Sequence, residues 1–203
     1  SNYLKNNILS FILRFLQFDV LYLTNSFITN IPSFKYCNKI RLDKLLSVVG
    51  CNYSLLVIPD FLFNKINIGK HDFIKIEVEE DMVLTIDSKW KSIDNYMSDM
   101  KTKYRKKIRE VIKSSNKLDV RSMDVDEILF YSNEIQQLFS QIVTQSNFNG
   151  PLFNTDSFLY LVKNDFFKLY GYFVDNKLIG FSSEIHEEKT LYSYYVGFDK
   201  KLN

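Results

Sequence analysis

Leu178-Ile179-Gly180-Phe181-Ser182-Ser183-Glu184-Ile185-His186, and after the turn Glu187-Glu188-Lys189 the run Leu191-Tyr192-Ser193-Tyr194-Tyr195-Val196-Gly197-Phe198-Asp199, decide the fold. Alternation puts Ile179, Phe181, Ser183 and Ile185 on one face of a strand and Gly180, Ser182, Glu184 and His186 on the other. A preceding apolar run, Phe166 to Val174, ends at Asp175-Asn176-Lys177. Three strands joined by tight turns predict an antiparallel meander. The last is rich in Tyr and Val and carries unpaired N–H and C=O groups if it is an edge, so it calls for a covering element.

Outward from the meander, helices and strands mix. Asp126 to Gln145 (Ile128, Leu129, Tyr131, Ile135, Leu138, Phe139, Ile142) reads as an amphipathic helix, and Thr155 as the N-cap of a short helix over Phe158 to Val162. Asp119 to Met123 reads as a short strand. Trp90 to about Lys117 carries the strongest helical stripe, made of Ile93, Met97, Met100, Tyr104, Ile108, Val111 and Ile112. Upstream, residues 3 to 18 suit a helix, Val20 to Phe27 a strand, Lys39 to Val49 a helix stopped by Gly50, and Tyr53 to Ile58 a strand. Phe73 to Val78 and Met82 to Ile86 read as two more strands. The fold class expected is α+β, a mostly antiparallel sheet flanked by helices, with an N-terminal region over 1–86 and a second over 87–203.

The chain has 203 residues, 46% of them hydrophobic and 25% charged, which places it with folded proteins and not disordered ones. Its net charge of +2 gives no overall preference for nucleic acid or membrane. Cys37 and Cys51 are too few for a disulfide framework and read as reduced structural thiols, so a cytoplasmic setting is expected. Arg14, Gln17 and Asp19 interrupt the apolar run Ile8 to Leu23, which argues against a membrane span. Two histidines without clustered cysteines predict no metal site.

Positive charge is local. Lys101 to Lys113 holds seven bases against one acid, so the remainder of the chain is net acidic. Lys101, Arg105, Arg109 and Lys113 recur every four residues and share a helix face that suits a phosphate or carboxylate; the plainer reading is a solvated face. Glu184 suits a general base and His186 is a second candidate, against the commoner reading of exposed residues on a hairpin. Alternation places Tyr192 and Tyr194 on one face of the last strand, with Tyr195 and Gly197 on the other. A glycine there marks the approach of a ligand or of another backbone. No phosphate-binding glycine loop, nucleophile elbow or Cys/His nucleophile signature is present.

Trp90-Lys91-Ser92-Ile93-Asp94-Asn95-Tyr96-Met97, Lys103-Tyr104-Arg105-Lys106-Lys107-Ile108-Arg109, Lys177-Leu178-Ile179-Gly180-Phe181 and Tyr194-Tyr195-Val196-Gly197-Phe198-Asp199, in that order, resemble the Fem-like branch of the GNAT acyl-CoA N-acyltransferase superfamily, which includes bacterial peptidoglycan-biosynthesis proteins. The likeness covers about residues 87 to 203. It implies a strand splayed from its next neighbour, with the pantetheine arm of acyl-CoA, acetyl-CoA for example, hydrogen-bonded at Tyr195, Val196 and Gly197. It also implies that elements following Asn203 complete the fold and hold the pyrophosphate, so the C-terminal part of the fold is expected to be missing from this chain.

Under that resemblance an amine attacks a thioester, with Glu184 as base, the N–H near Val196 on the oxyanion and Tyr194 as donor to the leaving thiolate. The acceptor is a small-molecule or cell-wall-precursor amine. Two rivals stand beside this. One is a Fem-type transferase that uses aminoacyl-tRNA on a peptidoglycan precursor, and the other is a non-catalytic module whose basic helix grips an anion.

Overall fold

The computed structural model describes residues 19–25, 27–28, 31, 40–77, 82–144, 152–187 and 189–202. The expected helix over 3–18 and Cys37 lie outside them. The chain divides into two units, Ser1–Glu79 and Glu80–Asn203.

In the first unit, two short parallel pairs form: β1 (Val20–Tyr22) with β3 (Leu55–Val57), and β2 (Ile40–Arg41) with β4 (Ile66–Asn67). Helix α1 (Leu42–Val49) ends as expected at Gly50, whose φ of 61° supplies the left-handed stop and whose N–H bonds to the Leu46 carbonyl. A four-residue helix, α2 (Asp60–Phe63), precedes β4. Leu23, Leu42, Leu62 and Ile66 make the buried cluster. Residues 73–77 and 82–87 form no strand, contrary to their pattern, and Ile74, Ile76, Met82 and Val83 are exposed. Strand propensity needs a partner, and none pairs with them among the described residues. The expected strand over 20–27 is likewise confined to β1, followed by a bridge between Asn25 and Ile28. Cys51 is a free, exposed thiol and not a packed one.

The second unit is built on a four-stranded antiparallel sheet in the order β5-β6-β7-β8: Asp119–Ser122, Lys168–Val174, Lys177–Glu187 and Thr190–Phe198. The expected meander forms. Asp175 and Asn176, both at positive φ, make the two-residue turn whose twist suits a hairpin. A bulge between Tyr172 and Phe173 shifts register, so Leu178, not Ile179, takes the buried face opposite Phe173.

Helices α5 (Val125–Phe130), α6 (Ser132–Val143) and α7 (Ser157–Lys163) contribute to the core on one face of this sheet. The core there holds Ile128, Ile135, Leu138, Phe139, Phe158, Phe167, Leu169, Phe173, Phe181 and Ile185. Asp124 and Glu127 form a reciprocal capping box at the start of α5, and Arg121 on β5 bonds Glu127 at 3.0 Å. The single helix expected from Asp126 breaks at Tyr131, which has left helical geometry (ψ 16°). Thr155 does not cap α7. Its buried hydroxyl donates to the Gln136 side chain of α6, tying the α7 entry to α6.

The long helix expected from Trp90 is two: α3 (Ile93–Asp99), capped by Ser92, and α4 (Thr102–Ser115). Met100 and Lys101 between them are extended. Asp99 is drawn back to Trp90 Nε1 (2.7 Å) and Lys89 Nζ (2.9 Å), while Arg105 Nη2 donates to the Met100 carbonyl (3.2 Å). The apolar stripe is amphipathic as read, yet only Met97 in it is buried, and Tyr104, Val111 and Ile112 are exposed.

Gly197 marks where α6 crosses β8. A Cβ there meets the Leu138 carbonyl carbon and the Phe139 nitrogen at 2.9 Å each, both backbone atoms that cannot swing aside. The close neighbours are the Phe181 ring and the α6 backbone, which account for this glycine without a ligand. Gly197→Ala is expected to destabilise the protein by about 1–3 kcal/mol, read as a lower denaturant midpoint; an unchanged midpoint contradicts the close crossing.

Candidate functional site

The site is organised by a second bulge, in β8. Ser182 opposes Val196 and Glu184 opposes Ser193, so Tyr194 and Tyr195 together face the single residue Ser183. Ser183 is fully buried, and its hydroxyl accepts from the Tyr195 N–H (2.8 Å) and donates to the Tyr195 carbonyl (3.1 Å). One side chain thus replaces the ladder bonds that the extra residue displaces.

The inserted residue also resets the alternation. Tyr192 lies opposite buried Ile185, and Tyr194 sits 6.2 Å from the ring of buried Phe167, 6.3 Å from Tyr192 and 6.1 Å from Tyr195. All three tyrosines therefore gather on the helix-bearing face, where strict alternation separates Tyr195 from the other two. Leu191, Ser193, Val196 and Phe198 are left exposed on the opposite face. Tyr195 stacks on Phe153 at 4.1 Å and meets Phe139 and Phe158 edge-on. Burial first, and then the neighbouring Tyr194, push its phenol up to about 12.

Backbone direction follows from the same bonds. Tyr195 turns its N–H and C=O toward β7, and the Asp199 N–H reaches the Ile179 carbonyl at 2.8 Å. Groups along a strand point to alternate sides, so those of Val196 and Phe198 point away from β7. No strand pairs with that edge among the described residues, so the covering element expected for β8 is supplied on its face by α6 and not along its edge. Of Tyr195, Val196 and Gly197, only Val196 presents its amide to the open edge.

Glu184 stands on the open face, diagonal to Val196 through the Ser182 pair. Its carboxylate is 3.1 Å from His186 Nε2, with side-chain exposures of 26% and 47%, so it is held in place yet accessible. Ser182 and Tyr172 share a 3.0 Å hydrogen bond beside it. Tyr194 belongs to the other face, so the structure does not bring Glu184 and Tyr194 together.

The basic residues fall on α4. Lys101 is its N-cap, Lys113 lies in its last turn, and Thr102, Arg105, Lys106 and Arg109 line one groove. Sequence spacing found Arg105 and Arg109 but not Thr102 and Lys106, whose positions i and i+4 were legible. Ser183 was also missed; its signal was a small polar residue on an otherwise apolar face. Among the described residues no group of three or more His, Cys, Asp or Glu is placed to hold a metal ion, and no helix is long and apolar enough to cross a membrane.

No family model and no curated protein matches the chain. Among solved structures it is similar to an aminoglycoside acetyltransferase from an uncultured soil metagenomic sample, in complex with sisomicin (17% identity, TM-score 0.33) and with trehalose (16%, 0.32). Each alignment covers 42% of this chain and 59% of the other, so the chain spans well under two thirds of those proteins' length.

Burial of the Tyr195 phenol has a pH signature. Between about pH 10 and 12 the unfolded phenol has lost its proton while the folded one keeps it, so unfolding releases a proton and rising pH favours the unfolded chain. The stability present below about pH 10 is expected to fall across that window, and Tyr195→Phe to remove part of the fall. Urea titrations of both proteins at each end of the window check it; identical pH slopes contradict it.

Proposed function

We propose that the second unit belongs to an acyl-CoA-dependent N-acyltransferase of the GNAT type, with an amine as acceptor. The observation that carries this reading is the open edge of β8 beside its bulge: the outward amide of Val196, with the Glu184 carboxylate diagonal to it on one face. An extended arm bearing amides can add to such an edge as a strand does, which fits the pantetheine portion of acyl-CoA. Val196 and Phe198 offer the donors and acceptors that it requires.

In this reading the Val196 N–H stabilises the oxyanion that forms as the amine attacks the thioester carbonyl. Glu184, directly or through one water, takes the amine proton; the C–N bond forms, the C–S bond breaks, and the thiolate leaves to be protonated. His186 holds the carboxylate in position. The Tyr194 ring is on the far side of the sheet, so the thiolate takes its proton from water. The sequence motifs that resemble the Fem-like branch favour a cell-wall-precursor amine as acceptor, and a bacterial, cytoplasmic setting belongs to the same proposal.

Thiol release from acetyl-CoA, followed over a panel of primary amines, tests it. Glu184→Gln is expected to slow turnover by about 10²–10⁴-fold while leaving acetyl-CoA stabilisation of the fold intact. Equal turnover in the variant removes Glu184 from the chemistry, and no response of the wild-type protein to any CoA thioester contradicts the reading as a whole.

A further inference from the structure

We infer that the groove on α4 is a binding site for a diphosphate or phosphate-monoester group, held by Arg105, Lys106 and Arg109 with the Thr102 hydroxyl. These residues stand at i, i+3, i+4 and i+7, so two turns of one helix, roughly 10 Å of its length, present three cations and a hydroxyl to one space. None of the seven bases from Lys101 to Lys113 forms an ion pair among the described residues, although Arg41, Lys75, Lys89 and Arg121 all do. Glu110, the one acid of the segment, does not line the groove.

Arg105 supplies an independent observation. Its Nη2 is fixed on the Met100 carbonyl, yet its Nε is buried and has no hydrogen-bond acceptor among the described residues. A buried donor left unpaired is costly, so this side chain is poised to shift onto an acceptor that comes within its reach. A guanidinium fixed at one end, with a second arginine one turn away, suits the oxygens of a phosphate group. Three cations match a multiply charged group better than a single carboxylate. An extended polyanion fits less well, because the rest of the chain is net acidic and repels its continuation.

The diphosphate can come from the coenzyme or from a phosphorylated acceptor. That assignment rests on the acyltransferase reading; the groove's affinity for phosphate does not. Calorimetric titration of the full chain with inorganic pyrophosphate at constant ionic strength is expected to show saturable one-to-one binding, at least about tenfold weaker in Arg109→Gln and in Lys106→Gln. Lys177→Gln, at the β6–β7 turn, is expected to bind as the wild type does. Neither groove variant touches the Arg105–Met100 bond, so folding and binding stay separable. Equal affinity in all variants, or heats that follow ionic strength without saturation, overturns the site.

Displacement of pyrophosphate by coenzyme A assigns the groove to the coenzyme, and simultaneous binding of both assigns it to the acceptor. Acyl-pantetheine, which lacks phosphate, probes the β8 edge alone. Its failure to bind counts against the acyltransferase, whereas failure of pyrophosphate counts only against the groove.

Discussion

The hydroxyl of Ser183 holds both backbone groups of Tyr195, and the rest of the candidate site follows from that pair of bonds. Without them, an extra residue in β8 leaves a buried N–H and C=O unpaired, at a cost of about 1–3 kcal/mol for such a group. With them, the bulge is a stable feature of the sheet. It swings three tyrosines onto the helix-bearing face, where they extend the core around Phe153, Phe158 and Phe167. It leaves Val196 and Phe198 facing outward at an edge free of charged residues from Thr190 to Phe198.

Natural sheet edges are commonly blunted by lysine, proline or a bulge. β8 has only the last of these, placed where the Val196 side chain shares a face with the Glu184 carboxylate and the Val196 amide points out along the edge. Gly197 belongs to the same construction from the other side: α6 lies directly on it and closes that face of β8. The division of labour is spatial, with packing beneath the strand and polar groups above and beside it.

Local chemistry was legible where it was self-contained. Asp175-Asn176 announced a turn, Gly50 a helix stop, and the alternation from Phe181 to Ile185 a half-buried strand. What was illegible depended on partners. Period-two reading assumes one residue opposite one residue, so it cannot see Tyr194 and Tyr195 sharing Ser183, and it divides the tyrosines wrongly. Residues 73–77 and 82–86 carry strand-forming side chains but pair with no strand among the described residues, and the stripe on α4 is amphipathic without being buried. The helix break at Met100 is accompanied by bonds from distant side chains, Trp90 and Lys89 on Asp99, that no local propensity encodes.

Residue-resolved amide hydrogen exchange across β8, with and without acetyl-CoA, reports whether that edge is open and whether it receives an acyl carrier. The Val196 and Phe198 amides are expected to exchange rapidly in the free protein and to slow on addition of the thioester, while Tyr195 and Gly197 stay protected throughout. A Val196 amide already protected in the free protein, or one unchanged at saturating acetyl-CoA, contradicts an open edge built to receive an acyl carrier.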